Sequence, residues 1–307
     1  MRGDENAETG FGDKKTMKNI QVLHIGEFGR QEGYPYFYSN TFREHAGSFH
    51  ETITVPHKHD FFILVLFTRG HGVHEIDFNS YEIRPGSIFL MYPGQTHYWE
   101  FSQDADGYVV FHTQEFYEMH YINRSIHGFP FYYSAQNPPC LYLEEPDMLK
   151  AITVFREIHS EYEGEGFMKM QRLASSLDLL YIDLSRLYLR DNSAESPVSA
   201  TYMRRIRQLE QLIEKHYIEE KQPSAYADMM HISPKHLNRM VKASLRKTTS
   251  DLIAERVILE AKRLLVHSQN SFTEIARALG YEDYAYFSRL FKLKTGLTPS
   301  EFVHKYK

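Results

Sequence analysis

The stretch that most limits what this chain can fold into runs from Ser271 to Tyr306, because its punctuation leaves few choices. Ser271 and Glu274 stand in the S-x-x-E spacing that opens a helix at Phe272, and Ile275, Ala276 and Leu279 then fall on one side of it. Gly280 supplies a residue that leaves a helix with positive φ at little steric cost. Asp283 caps a second helix on which Phe287, Leu290 and Phe291 share a face, and Gly296 ends it. Thr298-Pro299-Ser300-Glu301 is another capping box, with proline at the first helical position, where its missing N–H costs nothing. Ala276, four residues before Gly280, is small enough to let the two helices cross closely. The pattern predicts a helix-turn-helix followed by a third short helix.

A looser copy precedes it. Tyr226 to Lys242 repeats the motif at an offset of 49 to 50 residues, with Ala227 matching Ala276, Leu237 matching Phe287, Arg239 matching Arg289 and Lys242 matching Lys292. His231 stands where the second copy has Gly280, which predicts a more strained turn. Ile206, Leu209, Leu212 and Ile213 form the stripe of a leading helix. A long helix from Asp251 to His267, with Ile253, Val257, Ala261 and Leu264 inward, joins the copies.

Charge is distributed to match. Residues 201–307 hold 19 Lys and Arg against 12 Asp and Glu, whereas residues 1–200 hold 16 against 28. A basic C-terminal third suits phosphates that the acidic remainder would repel.

The run Ala276-x-x-x-Gly280-Tyr281, then Phe287-Ser288-Arg289-x-Phe291-Lys292, then Gly296-x-Thr298-Pro299-Ser300-x-Phe302 resembles the C-terminal signature of the AraC/XylS family of bacterial transcription regulators. Val303 departs from it, standing where the family usually carries arginine. The resemblance implies double-stranded DNA as partner, with two recognition helices entering successive major grooves about 34 Å apart. Residues opposite the buried faces are then the candidate base contacts: Lys235, Asn238 and Arg239 in the first copy, Tyr284, Ala285, Ser288 and Arg289 in the second. Arginine grips guanine bidentately, asparagine pairs with adenine, and Ala285 suits a thymine methyl. Lys242 and Lys292 suit phosphates. The family resemblance also implies an activator working through RNA polymerase contact, usually as a homodimer.

The N-terminal part reads differently. The first seventeen residues are polar and Gly-rich, a tail expected to be disordered, with Met17 a possible natural start. Residues 18–135 are dense in aromatic and β-branched residues with turn signals at short intervals, which predicts strands in a small barrel. His57-x-His59, and Pro93-Gly94-x-x-His97, resemble the two histidine motifs of a cupin, and in the AraC/XylS family an N-terminal cupin commonly senses a small molecule. A metal-holding cupin adds a glutamate a few residues after the first pair. Here that position falls on Ile63 or Leu64, so no metal and no cofactor is expected, with His57, His59 and His97 the weak candidates. His71 and His74 read as a turn and an exposed strand face. Phe61, Tyr92, His97, Tyr98 and Trp99 are the candidate lining of an effector pocket.

Residues 146–190 switch to helical periodicity, within a helical dimerisation segment expected over 136–190. Leu173, Leu177, Leu180, Leu184 and Leu187 recur at steps of four and three, an a/d seam that fits either homodimerisation or packing on the chain's own barrel; dimerisation is the expectation taken. Residues 191–200 (DNSAESPVSA) read as the interdomain linker. The expected architecture is therefore an α+β multidomain chain: cupin-like barrel, helical segment, linker, all-α double helix-turn-helix. The single cysteine, Cys140, and the shortness of the longest apolar run, 61–67, favour a cytoplasmic protein without a membrane anchor.

Two further readings compete with the effector-controlled regulator. One is a metal-dependent cupin enzyme with an appended DNA-binding domain; the apolar residues at the glutamate position argue against it. The other is a regulator controlled by a protein partner. Neither a nucleophile–base triad nor a phosphate loop is legible.

Overall fold

A computed structural model describes residues 20–28, 36–121, 125–132, 134, 137–191 and 200–306. The tail 1–17 and the linker core 192–199 lie outside the described residues. The chain divides into two compact units, residues 20–259 and 260–307, with the break inside a helix.

The first unit begins with strands β1 (Val22–Leu23) and β2 (Phe37–Thr41), followed by helix α1 (Phe42–Ile53). Then come β3 (Lys58–His59), β4 (Phe62–Arg69), β5 (Gly72–Ile76), β6 (Asn79–Ile83), β7 (Ser87–Met91), β8 (His97–Phe101) and β9 (Asp106–His112). Helix α2 (Gln114–His120) and β10 (Cys140–Tyr142) complete the β-rich part. Five strands pair in the order β10-β7-β4-β9-β2, three in the order β6-β5-β8, and β1 pairs with β3. β4 is the continuous apolar run of a central strand, buried from Phe62 to Phe67. At Gly107 any side chain would collide with the Leu66 carbonyl, so only glycine lets β9 approach β4 this closely.

The expectation of strands throughout 18–135 is corrected at α1. Thr41 caps this helix by accepting from the Glu44 N–H, and Phe42, His45, Ala46 and Ile53 form its buried stripe. The aromatic residues just ahead of it, such as Tyr36, Phe37 and Tyr38, disguised a helical period.

Helix α3 (Glu145–Glu163) buries Ala151, Phe155, Ile158 and Tyr162, and helix α4 (Lys169–Asp191) packs beside it. The dimerisation reading of the α4 leucines is corrected here. Leu173, Leu177, Leu180 and Leu184 are at most 2% exposed within a single chain, and Leu187 is half-buried against the same core. The stripe packs into the chain's own core, the alternative that the seam left open; α4 lies against α3, and its Tyr181 meets Phe129, Phe131 and Tyr132.

Helix α5 (Ala200–His216), α6 (Pro223–Met229), α7 (Pro234–Leu245) and the first half of α8 (Thr249–His267) follow in the same unit. Ile206, Leu209, Ile213, Tyr226, Leu237, Met240 and Val241 close their core. The second unit holds the rest of α8 with α9 (Phe272–Ala278), α10 (Tyr284–Thr295) and α11 (Pro299–Tyr306), packed on Ile275, Ala276, Phe287, Phe291 and Phe302. No helix among the described residues is long and apolar enough to cross a membrane.

Candidate DNA interface and sensor barrel

Each helix-turn-helix copy is built from its own caps and turn. In the second, Ser271 and Glu274 form both halves of a capping box, and Asp283 accepts from the Ala285 N–H at 2.7 Å. Gly280 turns the corner at φ 81°, and the Tyr281 N–H donates to the Ala276 carbonyl at 2.9 Å. In the first, the Ile232 N–H donates to the Ala227 carbonyl at 3.0 Å, the same bond at the same offset. Its corner residue, His231, holds φ 54°, the left-handed geometry that the sequence comparison anticipated as strained. Ser233 then caps α7 from the His236 N–H.

The outward faces carry the candidate contacts unevenly. Lys235, Arg239 and Lys242 on α7, and Ala285, Arg289 and Lys292 on α10, are exposed. Arg239 is braced by the His236 ring nitrogen at 2.9 Å. Ser288 is half-buried, and Tyr284, also half-buried, stacks on Phe272. Asn238 requires a correction. Its Oδ1 accepts from the backbone N–H of Thr249 at 3.1 Å, capping α8, so the amide is held to the scaffold with one acceptor position engaged, and bidentate adenine readout would have to break that bond. Tyr286 on α10 is 53% exposed and joins this surface, a position that sequence conceals because aromatic residues usually fill cores.

The barrel interior is lined by histidine. His57 and His97 form a hydrogen-bonded bridge, N–H to carbonyl in both directions at 3.0 and 2.9 Å, which stands their side chains together. His59 is two residues on and shares the face. The Nε2 atoms of His59 and His97 lie 3.0 Å apart, and His97 Nδ1 lies 2.7 Å from His74 Nε2. His57, His59 and His97 bring ligand atoms within 4.8 Å of one another. Burial, and after it the other histidines, holds His59, His74 and His97 well below the ordinary imidazole value; burial also lowers His57. Burial thus favours neutral rings, each with one N–H and one lone pair.

His74 corrects the expectation of an exposed face. β5 pairs with β6 on one side and β8 on the other, and His74, opposite Trp99, is fully buried. Among the pocket candidates Phe61, His97 and Trp99 point inward, and Tyr92 is half-buried against the core. Tyr98 does not join them: strand alternation turns it to the opposite face of β8, across from Glu75. Trp99 packs on Phe42, Phe67 and His74, and its Nε1 has no hydrogen-bond partner.

Comparison with known proteins fits both halves. Residues 42–114 match the AraC-like ligand binding domain, and residues 226–305 match a helix-turn-helix domain family. The HTH-type transcriptional activator RhaR of Escherichia coli K12 is 24% identical over 263 residues, covering 84% of this chain and 90% of RhaR. The same activator from Shigella boydii aligns equally well, at 24% over 263 residues. Among solved structures, unsaturated fatty acid-bound ToxT from Vibrio cholerae aligns over 90% of this chain and 98% of its own, at 16% identity and a TM-score of 0.39. The C-terminal domain of the response regulator AraT from Geobacillus stearothermophilus aligns over 36% of this chain and 88% of its own, at 28% identity and a TM-score of 0.32. Two matched domains in this order, a buried barrel ahead of two capped helix-turn-helix copies, make this chain a member of the AraC family of DNA-binding transcriptional regulators, with an N-terminal effector-binding domain.

Proposed function

We propose that the chain is a homodimeric transcription activator that reads an asymmetric site through α7 and α10, contacts RNA polymerase, and answers a small molecule held in the barrel. The observation that carries the DNA-reading part is the repetition of one capped helix-turn-helix, each copy leaving an arginine outward, Arg239 and Arg289. Arg289 and Arg239 grip guanines, Lys235 and Ala285 touch neighbouring bases, and Lys242 and Lys292 hold phosphates. Ser288 and Tyr284 stand at the edge of that surface. The relatives are transcription regulators, which favours a non-enzymatic, cytoplasmic protein. The sensor spans residues 18–135, its helical support 136–190, and the DNA-binding part 201–307.

The dimer surface is the outer face of α4. Leu179 and Leu189 are 60% and 52% exposed, and with Ile182 and Arg186 they recur at steps of three, four and three. Sensor and reader are tied within the first unit by two contacts. Arg207 on α5 donates to Ser125 at 2.9 Å, and Ser134 donates to Glu210 at 2.5 Å. Both serines flank Tyr132, whose hydroxyl meets Tyr181, which in turn bonds His112 of β9 at 2.7 Å. Differential effector affinity for two arrangements of this contact is what a response requires.

Binding-site selection with the full chain tests the reading. A defined two-part motif whose guanine preference relaxes in Arg289→Ala is expected; selection that yields no enriched sequence would refute it. Leu179→Glu is expected to give monomers by sedimentation, while Leu177→Glu, in the core, is expected to unfold the barrel.

A further inference from the structure

We propose that the barrel is a metal site: one divalent transition-metal ion held by the imidazoles of His57, His59 and His97, with His74 positioning His97. Four observations support it. First, a hydrogen bond sets the tautomer of His57. His57 Nδ1 lies 2.7 Å from the Val55 carbonyl, an acceptor only, so Nδ1 carries the proton and Nε2 presents its lone pair. Second, that Nε2 is buried without a hydrogen-bond partner. A buried polar atom of this kind wants an occupant. Third, His97 uses Nδ1 toward His74 Nε2, leaving its own Nε2 facing His59 Nε2 at 3.0 Å. Two ligand nitrogens of a tetrahedral ion with bonds of about 2.0–2.1 Å stand roughly 3.3 Å apart, so this pair is already near ligating separation. Fourth, the three ligand atoms fall within 4.8 Å of one another, inside the reach of small side-chain rotations.

His57 has the pattern of metal-bound histidine, in which the ring nitrogen away from the ion donates to a fixed acceptor, here a backbone carbonyl; with an ion on its Nε2, His97 would donate from Nδ1 to His74 Nε2, 2.7 Å away. The three donors are neutral nitrogens, and Ile63 and Leu64 are buried aliphatic residues on β4. An all-imidazole set selects zinc, copper, nickel or iron over magnesium and calcium, which require oxygen ligands. It leaves the ion's charge uncompensated, so the fourth position takes water or an anionic small molecule. The site stands whether or not the barrel signals to DNA.

The test is Co²⁺ titration of the chelator-stripped full-length protein, with absorption and direct metal analysis. Expected are one equivalent bound per chain, an intense visible band of four-coordinate cobalt, and displacement by Zn²⁺. His59→Gln and His97→Gln should each abolish the band, and exposed His304→Gln should leave it unchanged. His74→Phe should weaken affinity ~10–100-fold while keeping the stoichiometry. X-ray absorption at the zinc edge of the wild-type protein does not depend on any variant folding; three imidazole nitrogens at about 2.0–2.1 Å are expected. Absence of the four-coordinate band, a band undiminished in both glutamine variants, or zinc bound by fewer than three imidazoles overturns the proposal.

Discussion

The two helix-turn-helix copies solve the same two problems with different residues. Each must turn the chain between its helices, and each must start the helix that follows. The second copy uses Gly280 at the turn and Pro299 at the first position of α11. The first copy uses His231 at φ 54°, and Thr249 at the matching start of α8. Thr249 has a backbone N–H that Pro299 lacks, and Asn238 satisfies it. The capping box is shared: Thr298 with Glu301 in one copy, Thr248 with Asp251 in the other, each exchanging side-chain and backbone bonds. The backbone plan is thus held in common, and the side chains that satisfy it trade with one another. Asn238 is recruited to the scaffold because proline is missing, and its counterpart Ser288 is released from that duty.

The largest effect is expected in the cores. Phe287→Ala should destabilise the second copy by about 3–5 kcal/mol and Leu237→Ala the first by about 2–5 kcal/mol, measured as hydrogen-exchange protection of the corresponding helices. Loss of protection spread evenly over both copies would mean that they do not fold as separate clusters. Next come the arginines. Arg289→Ala and Arg239→Ala should each cost about 1–3 kcal/mol in operator binding, and each should relax preference at its own half of the site. An identical relaxed position for both variants would contradict two separate readers.

At the turns the two copies should respond with opposite signs. Gly280→Ala is expected to cost about 1–2 kcal/mol, because a side chain at positive φ is strained, whereas His231→Gly should be neutral or stabilising by up to about 1 kcal/mol. Destabilisation by His231→Gly would show that the imidazole makes a contact that outweighs its backbone strain. The smallest effect is also the most diagnostic. Asn238→Ala should cost roughly 1 kcal/mol of stability and leave base preference intact. In a Thr249→Pro background, where no N–H remains to be satisfied, the same substitution should cost nearly nothing.

Much of the reader half was legible because its information is local. Capping boxes, positive-φ corners and helical stripes are written within a few residues of where they act, so Ser271, Glu274, Gly280 and even the strained His231 could be read directly. What could not be read were pairings between distant segments. His74 looked like an exposed strand residue until β5 was placed between β6 and β8. Asn238 looked like a base reader because its partner lies eleven residues on, in the next helix. The α4 leucines carried a true heptad, but a heptad says only that one face is covered and is silent on whether the cover is α3 or a second chain. One miss had a local signal: Thr41 and Glu44 stand in capping spacing ahead of α1, and the dense aromatics nearby outvoted them.

That inward-facing leucine stripe has a practical consequence for anyone who wants the sensor alone. Truncation after the last barrel strand, at 142, would strip away α3 and α4, Tyr181 with them, and open Phe129, Phe131 and Tyr132 to water. Each large apolar side chain bared by their loss would forfeit about 1.5–3 kcal/mol, so such a fragment should precipitate, and the shortest soluble piece should extend through Arg190. The cut that frees the effector-binding half therefore falls in the 192–199 segment, some fifty residues beyond the point where the β-strands end.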